Sequence, residues 1–192
     1  MLVARWRYSL PIMLLIGHLT YMNCSGTTQF RQYDGLEAMP STVRLNDIVD
    51  ALEMQFDEAS SFLDLDTGQV EIVSHALLHV AEESGDEKPD LLTWQKDEWE
   101  IAKRIASTDR FQELPTKFEV HEWEIMQDFS RSVESDSIRR DLLHALDGAG
   151  AFRNFKDTLQ RYRIESAWFG FRTEALRQIA LSWCEENQIV WE

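Results

Sequence analysis

Residues 165–186 (ESAWFGFRTEALRQIALSWCEE) contain no proline, and Trp168, Phe171, Ala175, Ile179 and Trp183 recur at helical spacing. Phe169, Leu176 and Ala180 make the other faces of the same segment apolar too. A helix that is apolar on more than one face is expected in the interior of a fold. A chain with such a helix has to wrap it in other amphipathic elements, and the remaining sequence supplies them.

Leu45, Ile48, Val49 and Leu52 share a helical face with Asp47, Asp50 and Glu53 outside it, which predicts a helix over 45–55. Phe62 to Asp66 and Val70 to Val73 alternate on either side of a turn carrying Asp66 and Gly68, the signature of a β-hairpin. His75 to Glu83 predicts a short helix, and the polar run Ser84 to Pro89 breaks it. A helix over 91–107 carries Leu92, Trp99, Ala102 and Ile105, and Pro115 interrupts the chain after it. Next comes a helix over 118–133 with Phe118, Ile125, Met126, Phe129 and Val133, then a shorter one over 136–146. Gly148 and Gly150 precede a helix bearing Phe152, Phe155, Leu159 and Tyr162, and Ile189 to Trp191 suggest a short closing edge strand. There is no internal repeat and no low-complexity segment. The expected class is α+β, mostly helical, with five to seven helices and a small antiparallel hairpin near the N-terminal end of the domain.

That domain is expected over 39–192, with 1–38 as an N-terminal extension. Arg5 and Arg7 precede an apolar run from Leu10 to Leu19, interrupted by Pro11, Gly17 and His18, and the small residues Cys24, Ser25 and Gly26 follow. This resembles an export signal and is too short for a membrane span. The preferred expectation is translation from Met39 and a cytoplasmic protein, with export as the alternative.

Net charge is −15, and residues 1–38 hold three Arg against Asp34 and Glu37, so residues 39–192 carry −16. Such a field repels nucleic acid and anionic lipid surfaces and could steer a partner with a basic face. Cys24 and Cys184 are the two cysteines. They make neither a disulfide framework nor a zinc site, and Cys184 is expected to be a buried, inert thiol.

Against this acidity, the segment from Gly148 to Arg163 stands out. Arg153, Lys156, Arg161 and Arg163 fall within it, opposed by Asp157. Gly148 and Gly150 stand where a helix begins and free backbone N–H groups can receive an anion. One expectation is an anion site using Arg153, Lys156, Arg163, Trp168 and Arg172. The commoner outcome in acidic proteins is that such cations pair with neighbouring helices while Phe152 and Phe155 pack.

Other constellations are weaker. His75 and His79 lie one turn apart before Glu82 and Glu83, and Asp141 and His144 form an acid-x-x-His pair, but no second Glu-x-x-His exists for a metal bundle. His121-Glu122 lacks a second zinc ligand because Ile125 occupies its place. Asp64 and Asp66 fit a turn better than a calcium loop. No nucleophile elbow is present, so no catalytic residue, metal or cofactor is expected.

Several stretches together resemble one bacterial family. They are Leu45 to Gln55, the hairpin with Asp66-Thr67-Gly68, Leu114 to Glu122, and Gly150 to Asp157. Trp168 through Phe171-Arg172 to Ala175-Leu176, then Ala180 and Trp183 to Asn187, complete the set. In collinear order over about 43–190 they are similar to Uncharacterised Protein Family 0158. The resemblance implies a start just before the first helix without an export signal, and it transfers no activity. Ser74 to Ala81 depart from the pattern, being less acidic, and the N-terminal extension is additional.

The leading functional expectation is a non-enzymatic interaction or regulatory protein for a partner with a basic surface. The rival is a small enzyme or ligand-binding domain in which Arg153, Lys156 and Arg172 hold an anion and Asp157 or Glu122 acts as base. Oligomeric state is left open.

Overall fold

The computed structural model describes residues 42–84 and 91–192. The signal-like segment, the Met39 start and the polar break beyond Ser84 lie outside the described residues.

Helix α1 (Leu45–Glu53) buries Leu45, Ile48, Val49, Ala51 and Leu52, the face its spacing predicts. Strands β1 (Ala59–Asp64) and β2 (Val70–Ser74) form the hairpin, with Ser61 opposite Ile72 and Leu63 opposite Val70. Gly68 takes φ 71°, and its N–H donates to the Asp64 carbonyl at 2.8 Å, so the turn uses the backbone freedom of glycine. A third strand, β3 (Phe111–Glu113), pairs antiparallel with β1 and makes the order β2-β1-β3. With only three residues it shows no alternation, and the hairpin expected from sequence is two-thirds of the sheet.

Helix α2 (His75–Ser84) follows β2 directly. A turn of 3-10 helix, Thr93–Gln95, leads into α3 (Lys96–Ser107). The helix expected over 91–107 therefore starts later, and Leu92 stays exposed instead of joining Trp99 and Ala102. Val73, Leu77, Ala81, Trp99 and Ala102 form a small apolar cluster between α2, α3 and β2.

The helix expected over 118–133 is two helices, α4 (Lys117–Val120) and α5 (Glu122–Ser132), separated by His121 at φ 50°. The break turns Phe118 into solvent while Ile125, Met126 and Phe129 remain inside. Helices α6 (Asp136–Ala145), α7 (Ala151–Tyr162) and α8 (Glu165–Glu186) complete the fold. Seven helices among the described residues have nine residues or more, and α4 is a single turn.

Helix α8 packs against α1, α5 and α7 and buries Trp168, Leu176, Ala180, Trp183 and Cys184. Its N-terminal half meets an aromatic cluster. Phe129 stands edge-on to Phe155, Trp168 and Phe171 at 6.2, 5.4 and 5.5 Å, and Phe155 lies 5.0 Å from Trp168. Such edge-to-face pairs contribute about 0.5–1.5 kcal/mol each beyond burial. Phe169, expected to help place the helix centrally, is exposed. At the C-terminal end the expected edge strand is a single parallel bridge, Val43 to Trp191, in which the Val43 N–H donates to Val190 at 3.1 Å.

Candidate ligand-binding cleft

Three helices supply the cleft. Glu122 and Met126 lie one turn apart on α5, Phe152 and Lys156 one turn apart on α7, and Phe155 between them faces the core. Trp168, Phe169 and Arg172 come from the start of α8. Gly150 allows α7 to begin here: at φ 80° it turns the chain into the helix, and its carbonyl accepts the Asn154 N–H at 2.9 Å.

The floor is apolar and fixed, because Met126, Phe155 and Trp168 are buried and the last two touch ring to edge. The rim is Phe152, 51% exposed, Phe169, 62% exposed, and the exposed Lys156. Arg172 is half-buried at the back. Its Nε donates to Glu122 Oε1 at 2.7 Å, and its Nη1 lies 3.9 Å from Glu53 Oε1. Glu53 in turn accepts the Thr173 hydroxyl at 2.8 Å. The cleft thus pairs a greasy floor with one cation held from behind and one free at the mouth.

The structure brings together Lys156, Trp168 and Arg172 from the expected anion site. Arg153 is exposed on α7 outside the cleft lining, and Arg163 sits beyond the helix as its left-handed cap at φ 57°. Asp157 lines a different cleft, with Asp141, His144, Asp147, Asn154 and Arg161. Of the two carboxylates considered as a base, only Glu122 reaches the cleft, and Arg172 already holds it.

The expectation that these cations pair with neighbouring helices holds for Arg172 and fails on α7. Among the described residues, Arg153, Lys156 and Arg163 form no ion pair with a carboxylate. By contrast Arg131 reaches Asp128 at 2.9 Å, and Arg139 reaches Asp136 at 2.6 Å. Sequence reasoning also assigned Phe152 to packing and Phe169 to a buried face. Helical spacing shows which residues share a side, and it does not show whether a neighbour covers that side.

The histidine pairs separate into ordinary contacts. His75 Nε2 lies 3.1 Å from Ser60 Oγ, and His79 Nδ1 lies 3.2 Å from Glu83. Asp141 accepts the Tyr162 hydroxyl, and burial together with this bond raises the Tyr162 pKa, the hydrogen bond contributing most. Among the described residues no group of three or more His, Cys, Asp and Glu side chains is placed to hold a metal ion. Asp64 serves the hairpin turn. It accepts the Asp66 N–H at 3.0 Å and bonds Arg110, which also reaches Asp66 at 3.0 Å. Cys184 is buried, and burial, with the neighbouring Glu185 adding to it, pushes its thiol pKa up.

A helix-rich α+β domain with an open aromatic cleft is the class that fold and site define. The model of the Uncharacterised protein family (UPF0158) matches residues 38–191, and the chain belongs to that family. A UPF0158 protein of Pseudomonas aeruginosa is 38% identical over 66 residues, 34% of this chain and 43% of the relative. The match therefore spans less than half the length of that relative. No solved structure matches the chain. Among the described residues, no helix is long and apolar enough to cross a membrane.

Proposed function

We propose that the domain is a non-enzymatic binding protein whose ligand carries an apolar, ring-sized body and an anionic group, seated in the α5/α7/α8 cleft. One observation carries the reading. In a chain with 34 acidic and 19 basic residues, Lys156 stands at the mouth of an aromatic cleft with no ion-pair partner among the described residues. The anion would meet Lys156, with Arg172 behind it. The body would lie between Phe152 and Phe169 over Phe155 and Trp168.

Magnitudes favour the body over the charge. Covering an aromatic ring removes roughly 150 Å² of apolar surface, worth about 4 kcal/mol before the cost of immobilising the ligand. An exposed Lys–anion pair adds about 0.2–1 kcal/mol. Affinity for a small ligand should therefore be about millimolar at best. Enzymatic use is disfavoured because Glu122, the one carboxylate among the described lining residues, is engaged with Arg172. Cytoplasmic residence belongs to the same proposal.

A second reading, recognition of a partner with a basic face, is favoured by the neighbouring cleft where Asp141, Asp147 and Asp157 gather. Binding of such a partner should weaken steeply with salt and should ignore Lys156.

The test of the first reading is titration with 8-anilinonaphthalene-1-sulfonate, an aromatic anion whose fluorescence rises in apolar surroundings. One saturable site is expected, weakened at least fivefold by Lys156→Glu and by Phe152→Ala and unchanged by Arg140→Gln on α6. Non-saturable binding, or binding indifferent to both cleft variants, refutes it.

A further inference from the structure

The unpaired cations of α7 form a row. Arg153, Lys156 and Gln160 follow at steps of three and four along one stripe of the helix, and Arg163 is the left-handed cap just past its end. All four side chains are exposed. From Arg153 to Arg163 is ten residue steps, roughly 15 Å at the rise of an α-helix. Phe152, four residues before Lys156, stands at the edge of the stripe that faces α8. Across from it, the exposed positions of α8 beside Phe169 are Ser166, Gly170 and Thr173, which are small and uncharged. A Cβ added at Gly170 would meet nothing within 4 Å, so this flank is open to close approach.

We propose that the natural occupant of this face is an acidic amphipathic helix of another protein, laid along α7 with one apolar side chain anchored in the cleft. The proposal rests on the cleft reading above and names the partner class. Charge complementarity carries it. Among the described residues these three cations have no carboxylate partner, whereas Arg131 and Arg139 pair within their own helices α5 and α6 and Arg172 of α8 pairs with Glu122. Acidic side chains one turn apart on an approaching helix repeat at the same spacing as the row. Three turns of such a helix match its length.

Nucleic acid fits less well. A phosphate strand carries a charge about every 3.4 Å and would run past the row onto a surface whose net charge is strongly negative. Two of the acids near the face are already engaged, since Glu122 and Glu53 are held by Arg172, and Asp157 lines the cleft shared with α6.

The experiment uses the full chain and a fluorescein-labelled synthetic helical peptide with Glu at the stripe spacing and Leu on the adjacent face. Anisotropy titrations at low salt should show saturable binding. The Glu→Gln version of the peptide should bind at least tenfold more weakly. The triple variant Arg153→Glu/Lys156→Glu/Arg163→Glu should lose at least tenfold for the acidic peptide and regain binding for a Lys version. Phe152→Ala should weaken the acidic peptide without reversing its charge preference. Thermal melts keep folding separate from binding, and the milder Arg153→Gln/Lys156→Gln protein replaces the triple variant if that one melts early.

If the aromatic dye saturates the cleft but the peptide does not bind, this inference falls and the cleft reading stands. If neither binds, both fall. Failure of the Lys peptide to rescue a folded triple variant overturns the proposal. So does a single-stranded oligonucleotide of equal charge binding more tightly than the peptide.

Discussion

Phe152 and Phe155 are the same residue type, three positions apart on α7, and the structure gives them opposite duties. Phe155 is 1% exposed and meets Trp168 at 5.0 Å and Phe129 at 6.2 Å. Replacing it by Ala opens a cavity beneath the cleft and removes both ring contacts. Large-to-small changes of a buried Phe cost about 3–5 kcal/mol. For a domain of this size each kcal/mol lowers Tm by about 2–4 °C, so a fall of about 6–20 °C is expected. Phe155→Leu keeps much of the volume and should cost about 1 kcal/mol. Phe152 is half-exposed, and Phe152→Ala should cost about 0.5–1 kcal/mol and lower Tm by about 1–4 °C. The assay is urea unfolding followed by tryptophan fluorescence, with dye titration on each folded variant. Phe152→Ala should lose the dye at that small cost, whereas Phe155→Leu, at a similar cost, should keep it. Equal destabilisation by the two Ala variants would refute the assignment of floor and rim.

Two further substitutions test features away from the cleft or at its edge. Burial acts to raise the pKa of Asp64, and the Arg110 guanidinium, the Asp66 N–H and the Thr67 hydroxyl outweigh it, leaving the carboxyl below its ordinary value. A lowered folded pKa gives stability that is present above the unfolded value, near 4, and is lost as pH falls through the folded value. Asp64→Asn should therefore cost about 1–3 kcal/mol at pH 7, with urea midpoints of the two proteins converging towards pH 2. Arg163 holds a left-handed conformation at φ 57°, which costs a side-chain-bearing residue about 1–2 kcal/mol relative to Gly. Allowing for the greater unfolded-state freedom of Gly, Arg163→Gly should raise stability by about 0.5–1 kcal/mol in the same assay.

What the sequence made legible follows from where the information is local. The hairpin could be read because alternation and Gly68 lie within twelve residues, and α8 because its apolar spacing from Trp168 to Trp183 runs over about four turns. β3 could not, since three residues pairing with a strand some fifty positions earlier carry no period of their own. The break between α4 and α5 was hidden for a different reason. His121 adopts a conformation usually taken by Gly or Asn, with no local signal to announce it. At the cleft, the residue types were legible in Lys156, Trp168 and Arg172, but the partner of Arg172 comes from fifty residues upstream. Only three dimensions show that Glu122 engages Arg172 and that no carboxylate among the described residues engages Lys156.

The end of α7 bears on what that free charge is for. The Arg163 N–H donates to the Gln160 carbonyl and the Ile164 N–H to the Leu159 carbonyl, each at 3.1 Å, so the helix is closed by a left-handed cap. Glycine would make both bonds without the steric cost. What Arg163 adds is a side chain, and that side chain finds no carboxylate within the described fold, although acids outnumber bases nearly two to one. The same helix sends Asp157 and Arg161 towards α6, where Tyr162 also reaches Asp141. Ion pairing along α7 is thus uneven, with Asp157 and Arg161 in the cleft shared with α6 and Arg153, Lys156 and Arg163 without a carboxylate partner among the described residues. Pairing these cations with some of the many acids would lower the self-repulsion of the domain. Leaving them unpaired forgoes that relief and offers an external anionic partner three charges that the described fold does not neutralise.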